Sequence, residues 1–241
     1  MPNPDDATPR RVRLHKYMAE CGVAARRACE RIMQEGRVRV DGAVVREPGT
    51  TIDPTTQRVE VDGRLISRER FRYLLYHKPR GVLSALSDDR GRGHLGDVLP
   101  PELGRVYHVG RLDQDSEGLL LLTNDGEFAA RMTHPRYEIE KTYQVWCTGE
   151  PDAAAIQRML DGIEDDGERL RAKRIDRIDT GHYTVVLTEG KKREIRRLFA
   201  ACGCPVTRLL RTAVGPVRLG ALSTGLFRDL TPEEVATLRA L

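Results

Sequence analysis

Apolar residues recur with two different spacings along the 241-residue chain, and the change of spacing divides it. Leu14, Tyr17, Met18 and Cys21 stand at i, i+3, i+4 and i+7, the stripe of an amphipathic helix, and Gly22 ends it. A second helix follows, with Ala28, Ile32 and Met33 beside Arg26, Arg27 and Arg31, and Gly36 stops it. Arg37-Val38-Arg39-Val40 then alternates at the strand period. Asp41-Gly42 is a strong two-residue turn signal, and Ala43-Val44-Val45 returns as the partner strand. Val59, Val61 and Leu65 alternate weakly before charge takes over, which predicts a first module over 12–58 and a linker over 59–72. Tyr73–Lys78, an apolar run stopped by Pro79 and Gly81, opens a second domain over 73–241.

In that second domain the pattern predicts strands at Leu119–Thr123, Thr142–Cys147, Tyr183–Thr188 and Pro205–Leu210. Helices are expected at Glu127–Met132, Asp152–Leu160, Arg193–Cys202 and Pro232–Ala240. Strands and helices alternate without regular crossover spacing. The expected class is therefore α+β: a small N-terminal module, then a larger mixed or antiparallel sheet with flanking helices, not a doubly wound parallel sheet. Four leucines, Leu119–Leu122, lie between Gly118 and Asn124-Asp125-Gly126, as in a short strand buried on both faces.

Composition narrows the class. At 39% hydrophobic and 32% charged residues the chain reads as soluble, and no apolar run approaches the ~20 residues of a membrane-spanning helix. Met1–Pro9 has neither the basic head nor the apolar centre of a secretory signal, so residues 1–11 are expected to be a disordered tail. The cysteines Cys21, Cys29, Cys147, Cys202 and Cys204 are odd in number and lack paired C-x-x-C spacing. They point to reduced thiols in a cytoplasmic protein and to no metal site. The net charge of +4 hides an uneven distribution. Residues 10–46 carry ten basic against four acidic groups (+6), residues 190–218 eight against one (+7), and residues 150–169 two against seven (−5). Two separate arginine-rich stretches favour a polyanionic partner, because guanidinium forks match phosphate oxygens. The acidic stretch is expected to face away from it.

Gly91, Gly93 and Gly96 satisfy G-x-G-x-x-G, but no buried strand leads into them and Pro100-Pro101 prevents the long helix of a dinucleotide site. A basic, glycine-rich loop touching RNA is the better expectation. Ahead of the leucine strand stand Arg111, Asp113, Asp115 and Glu117, a dense charge cluster at the mouth of a core strand. Most such clusters are solvated loops, and residue type alone does not assign this one a role.

Two resemblances change that. Leu14-His15-Lys16-Tyr17, the Arg26-Arg27 pair and Gly36–Gly42 resemble the alpha-L RNA-binding module first recognised in the S-four protein of the small ribosomal subunit. Ala25 departs from it, standing where the family carries a serine able to cap the second helix. Gly110-Arg111-Leu112-Asp113 with Ser116–Gly126 resembles the catalytic motif of the ribosomal-RNA pseudouridine synthases of the small-subunit synthase A and large-subunit synthase B type. The likeness runs on through Thr133–Tyr137, Glu140–Tyr143, Leu187–Arg197 and Val214-Gly215-Pro216. Lys192–Phe199 leans toward the large-subunit type.

The resemblance implies that Asp113 is the catalytic carboxylate, Tyr143 the active-site tyrosine, Arg196 the cation that holds Asp113 ionised, and Leu209 an apolar wall of the pocket. It implies RNA contacts at Arg26, Arg27, Arg37, Arg39, Arg111, Lys141, Lys192, Arg193 and Arg197. The implied reaction breaks the bond from ribose to ring nitrogen, turns the base and joins ribose to ring carbon. Nothing is oxidised and nothing leaves, so no cofactor is expected. Asp113 can act as nucleophile or remove a sugar proton, and both routes stay open. The expected partner is ribosomal RNA or a pre-ribosomal particle, bound by a monomer with no membrane attachment. Three other classes fit part of the pattern. A non-catalytic RNA binder would not need Asp113, and a methyltransferase would need a cofactor loop that is missing. A hydrolytic glycosidase would pair Asp113 with Asp115 or Glu117.

Overall fold

The computed structural model describes residues 11–241, so the expected tail lies, apart from Arg11, outside the described residues. The chain divides into two compact units, up to Phe71 and from Arg72 onward.

The first unit runs β1 (Val12–Arg13), α1 (Leu14–Glu20), α2 (Arg26–Gln34), β2 (Val38–Val40), β3 (Ala43–Val44), β4 (Thr51–Ile52), β5 (Val59–Val61) and β6 (Arg64–Leu65). Leu14, Tyr17 and Met18 of α1 and Cys29 and Met33 of α2 close over Val38, Val40, Val59 and Val61 of the sheet. Helix α2 starts from an extended Ala25 with no side-chain cap, as its sequence requires. The sheet order is β3-β2-β5-β6, with Val38 opposite Val61 and Val40 opposite Val59. The stretch expected as a linker from residue 59 therefore begins inside this module. Two buried valines on alternate positions were enough for a strand once β2 was there to pair with.

The second unit contains β7 (Tyr73–Lys78), α3 (Leu95–Val98), β8 (Tyr107–Val109), β9 (Glu117–Thr123), α4 (Gly126–Thr133), β10 (Lys141–Cys147), α5 (Ala153–Asp161), β11 (Ile163–Asp165) and β12 (Glu168–Leu170). It continues with β13 (Arg174–Asp179), β14 (His182–Leu187), α6 (Glu194–Ala200), β15 (Val206–Val214), β16 (Val217–Arg218), β17 (Phe227–Asp229) and α7 (Pro232–Ala240). The main sheet has the order β13-β14-β10-β15-β9-β7-β17, with β8 on β9 and β16 on β15. All pairs are antiparallel except β9 with β15.

Strand β9 is buried along its whole length. Leu120 and Leu122 enter one core with Tyr143, Leu198 and Phe199, whereas Leu119 and Leu121 enter the other with Phe128, Met132 and Val214. The parallel step between β9 and β15 depends on Gly118. Its φ is +110°, and a Cβ there would lie 2.3 Å from the carbonyl oxygen of Arg211. This close approach carries the loop before β9 to the foot of α6.

The G-x-G-x-x-G segment forms no strand-to-helix phosphate loop. Arg92 pairs with Asp88 across it, and only the four-residue α3 follows.

Candidate active site

The loop from Leu112 to Ser116 is fixed by its backbone. Ser116 N–H donates to the Asp113 carbonyl (3.1 Å), and Gly81 N–H donates to the Gln114 carbonyl (2.7 Å). Ser84 Oγ donates to the Leu112 carbonyl (2.8 Å) and accepts from its amide (3.1 Å). Lys78, fully buried at the end of β7, donates from Nζ to the carbonyls of Pro79 and Ser116, both at 2.8 Å. Burial pushes the Lys78 amine down to about 8, against the charges of Asp113 and Asp115.

Helix α6 closes the loop from the other side. Arg193, in the left-handed region at φ 54°, forks onto both carboxylate oxygens of Asp115 at 3.0 Å. Arg196 donates from Nη2 to the Asp115 carbonyl (2.9 Å) and from Nη1 to the Val206 carbonyl (3.1 Å). Its Nε lies 3.3 Å from Asp115 Oδ2, in ion-pair range but without hydrogen-bond alignment. Burial acts to raise the Asp115 carboxyl, yet the Arg193 hydrogen bonds and the Arg196 charge hold it below the ordinary range. Sequence motifs pair Arg196 with Asp113. In the structure its direct carboxylate partner is Asp115, and it acts on Asp113 only through the field it shares with Arg193 and Lys78. The reason is geometric: Arg196 reaches the loop two residues beyond Asp113.

The half-buried Asp113 carboxylate makes no hydrogen bond or ion pair with any described residue. It faces a cavity of about 450 Å³ whose wall includes Tyr143, Leu209, Ile195 and Arg111. Tyr143 comes from β10 and Leu209 from β15, and both are buried. The structure thus gathers Asp113, Tyr143 and Leu209 at one cavity, with Arg111, Lys192 and Arg193 on its rim and Arg196 just behind the loop.

The other expected RNA contacts are dispersed. Arg26, Arg27 and Arg39 are exposed on the first module, and Lys141 lies half-buried beside Tyr143. Arg37 is held by Asp62 and Glu35, and Arg197 by Asp165 and Glu168. The acidic stretch therefore serves partly as an internal counter-ion, clasping Arg197 with the hairpin β11–β12, and does not simply turn outward. Of the two carboxylates that a glycosidase could pair with Asp113, Asp115 is locked by arginines and Glu117 is paired with Arg208.

Three further groups were given no role by the sequence: Lys78 and Arg211, which no motif covers, and Glu194, which stands in a motif whose resemblance assigns it nothing. Glu194 lines the cavity at 3% exposure, and its Oε1 is buried without a partner. Burial, helped by neighbouring Glu189, raises its carboxyl from 4.5 to about 7. Arg211 is 5% exposed in a strand expected to end at Leu210. The one legible signal for it was a charge inside Leu209–Val214, where only Thr212 is otherwise polar.

The model of the family described as RNA pseudouridylate synthase matches residues 72–201, and the S4 domain model matches residues 12–57. The chain belongs to the RNA pseudouridylate synthase family. It is similar to the ribosomal large subunit pseudouridine synthase B of Bacillus subtilis (strain 168), with 43% identity over 95% of this chain and 96% of that one. An uncharacterized RNA pseudouridine synthase of Mycobacterium leprae is also 43% identical, over 94% of this chain and 92% of its own length. Among solved structures, a pseudouridylate synthase matches with TM-score 0.69 and 28% identity, covering 94% of this chain and 99% of that chain. The chain is accordingly an RNA isomerase with an N-terminal S4 domain and a mixed-sheet catalytic domain. Among the described residues no helix is long and apolar enough to cross a membrane.

Proposed function

We propose that this enzyme converts a uridine of ribosomal RNA, in the large subunit, to pseudouridine, with Asp113 as the reacting carboxylate. The observation that carries the reading is a contrast within one loop. Every backbone carbonyl of Leu112–Ser116 accepts a hydrogen bond and Asp115 is locked by two arginines, while the Asp113 carboxylate, unpaired among the described residues, faces the cavity. The large-subunit target is supported by the name of the Bacillus subtilis relative.

A uridine within folded RNA reaches such a cavity only by flipping out of its stack, which costs a few kcal/mol. The Tyr143 ring offers a face for the base and Leu209 an apolar wall. Lys78, Arg193 and Arg196 keep positive charge around the loop that carries Asp113. The carboxylate then attacks the ribose or removes a sugar proton. The bond from ribose to ring nitrogen breaks, the base turns, and ribose bonds to ring carbon. The proton lost from that carbon is balanced by one gained at the ring nitrogen, so the sum is an isomerisation. A monomer working in the cytoplasm on ribosomal RNA or a pre-ribosomal particle completes the proposal.

Asp113→Asn preserves shape and removes the reactive oxygen. It is expected to abolish pseudouridine formation while RNA affinity stays within about twofold, a change of under ~0.5 kcal/mol. Mapping pseudouridine across ribosomal RNA from a strain lacking the gene, complemented with wild-type or mutant enzyme, measures both target and residue. Normal modification by the mutant would remove Asp113 from its role.

A further inference from the structure

A second cavity of about 330 Å³ adjoins the first and shares the walls Arg111, Tyr143 and Gly190 with it. Its floor is apolar, but two cations enter it from neighbouring strands: Lys141 on β10 and Arg211 on β15, the register partner of Tyr143. Arg211 is almost fully buried and spends only Nε, on the Leu119 carbonyl at 2.7 Å. Lys141 reaches the Thr188 carbonyl at a long 3.3 Å. Neither has an ion-pair partner among the described residues. Glu189, the one carboxylate in the wall, is bound to Lys191 at 2.9 Å. The two charges also oppose each other: burial first and Arg211 second push the Lys141 amine down to about 8.

A buried cation is ordinarily paired, because desolvation is costly and like charges at low dielectric repel. Two of them converging on one cavity make a receptor for an anion. The chemistry of the pair selects the anion further. A guanidinium with its terminal nitrogens free offers parallel donors to two oxygens of a tetrahedral group, and the ammonium supplies a point charge to a third. The apolar floor suits a sugar more than a second charge.

We propose that the cavity formed by Lys141, Arg211 and Arg111 is a phosphate subsite that seats a phosphodiester next to the flipped uridine. The proposal rests on the functional reading above, since it presumes a nucleotide in the adjoining cavity. Tyr143 is the partition: the base lies against it on the Asp113 side, and the backbone passes over it to Lys141 and Arg211. Anchoring one flanking phosphate there would hold the nucleotide extruded and fix the ribose relative to Asp113.

The test is a coupling measurement on binding. Synthetic RNA spanning a modified uridine is made with a single neutral methylphosphonate at the 5′ or the 3′ neighbouring phosphate. Each RNA is titrated with wild-type enzyme, Lys141→Met and Lys141→Arg over a range of KCl. The expected result is that one methylphosphonate position weakens wild-type binding about tenfold, Lys141→Met weakens it similarly, and the two losses do not add. Lys141→Met should also lower the salt slope by about one unit, with Lys141→Arg restoring it. Arg211→Lys provides a second probe that keeps the buried charge while removing the fork, and it should selectively lose the discrimination between phosphate and methylphosphonate. Lys173→Met, which removes a charge already paired with Glu140 outside the cavity, serves as the control and should show no coupling. Independent, additive losses for Lys141→Met and both methylphosphonates would overturn the subsite. Because the readout is binding, that result is distinct from failure of the functional reading, which would show as wild-type enzyme forming no pseudouridine in any ribosomal RNA.

Discussion

Glu194 shows how a single buried group ties stability to pH. Its carboxyl titrates near 7 in the folded protein against 4.5 in an ordinary setting, chiefly because burial disfavours the anion. The folded state therefore binds the proton more tightly, and the favourable contribution is complete below about 4.5 and lost as pH rises to about 7. Glu194→Gln keeps the acceptor for the Lys191 amide and cannot ionise. Its melting temperature is expected to exceed that of the wild type at pH 8 and not at pH 5, as differential scanning calorimetry would show. Parallel pH profiles for the two proteins would rule out this titration. Asp113 and Tyr143 could be read from quoted motifs, and Leu209 only from its place in the family resemblance. Lys78, Arg211 and Glu194 could not, since a charged residue on an apolar strand or helix reads as solvated until the fold shows what covers it, even where, as for Glu194, a motif contains it. For a related reason, motif position names Arg196 but does not determine which of two carboxylates, two residues apart, its guanidinium meets directly; in the structure that is Asp115.

At the level of elements, pairing decides which arginines remain available to RNA. Helix α2 presents Arg26 and Arg27 to solvent with no carboxylate ion pair among the described residues, whereas Arg37, at the foot of β2, is forked onto Asp62. Arg27→Gln is expected to lower the salt slope of RNA binding by about one unit. Arg37→Gln should leave the slope nearly unchanged and lower the thermal stability of the module instead. A larger slope change for Arg37 than for Arg27 would reverse the assignment. The same distinction explains which elements could be anticipated. Strands β7, β9, β10 and β14 carry continuous or alternating apolar residues and stand in the sequence almost as they do in the sheet. Strand β13, Arg-Ile-Asp-Arg-Ile-Asp, is an exposed edge whose pairing with β14 leaves charge on both faces. The hairpin β11–β12 looked like a mere acidic stretch because its purpose, holding Arg197, lies in another element. The parallel contact of β9 with β15 depends on Gly118 and on a residue more than ninety positions away, which no local pattern reports.

For the whole molecule, the sheet order places β17 beside β7, with Phe227 opposite Tyr76 and Asp229 opposite Leu74. Helix α7 then returns Arg239 to Asp125 at the start of α4. The S4 domain, by contrast, completes its sheet between residues 38 and 65. These two arrangements set an order of assembly during synthesis. The RNA-binding module has all its strands once β6 is made, but β7, buried at five of its six residues in the finished sheet, keeps an open edge until β17 exists. Distant pairings close slowly, and an uncovered apolar edge invites association with other chains. A fragment ending at residue 220 is expected to protect residues 12–66 from protease while leaving 73–220 susceptible, and protection of both would contradict the order. A nascent chain is thus expected to gain its RNA-binding module before its catalytic sheet can close, and over that interval its longest-waiting strand stays open to the wrong neighbour.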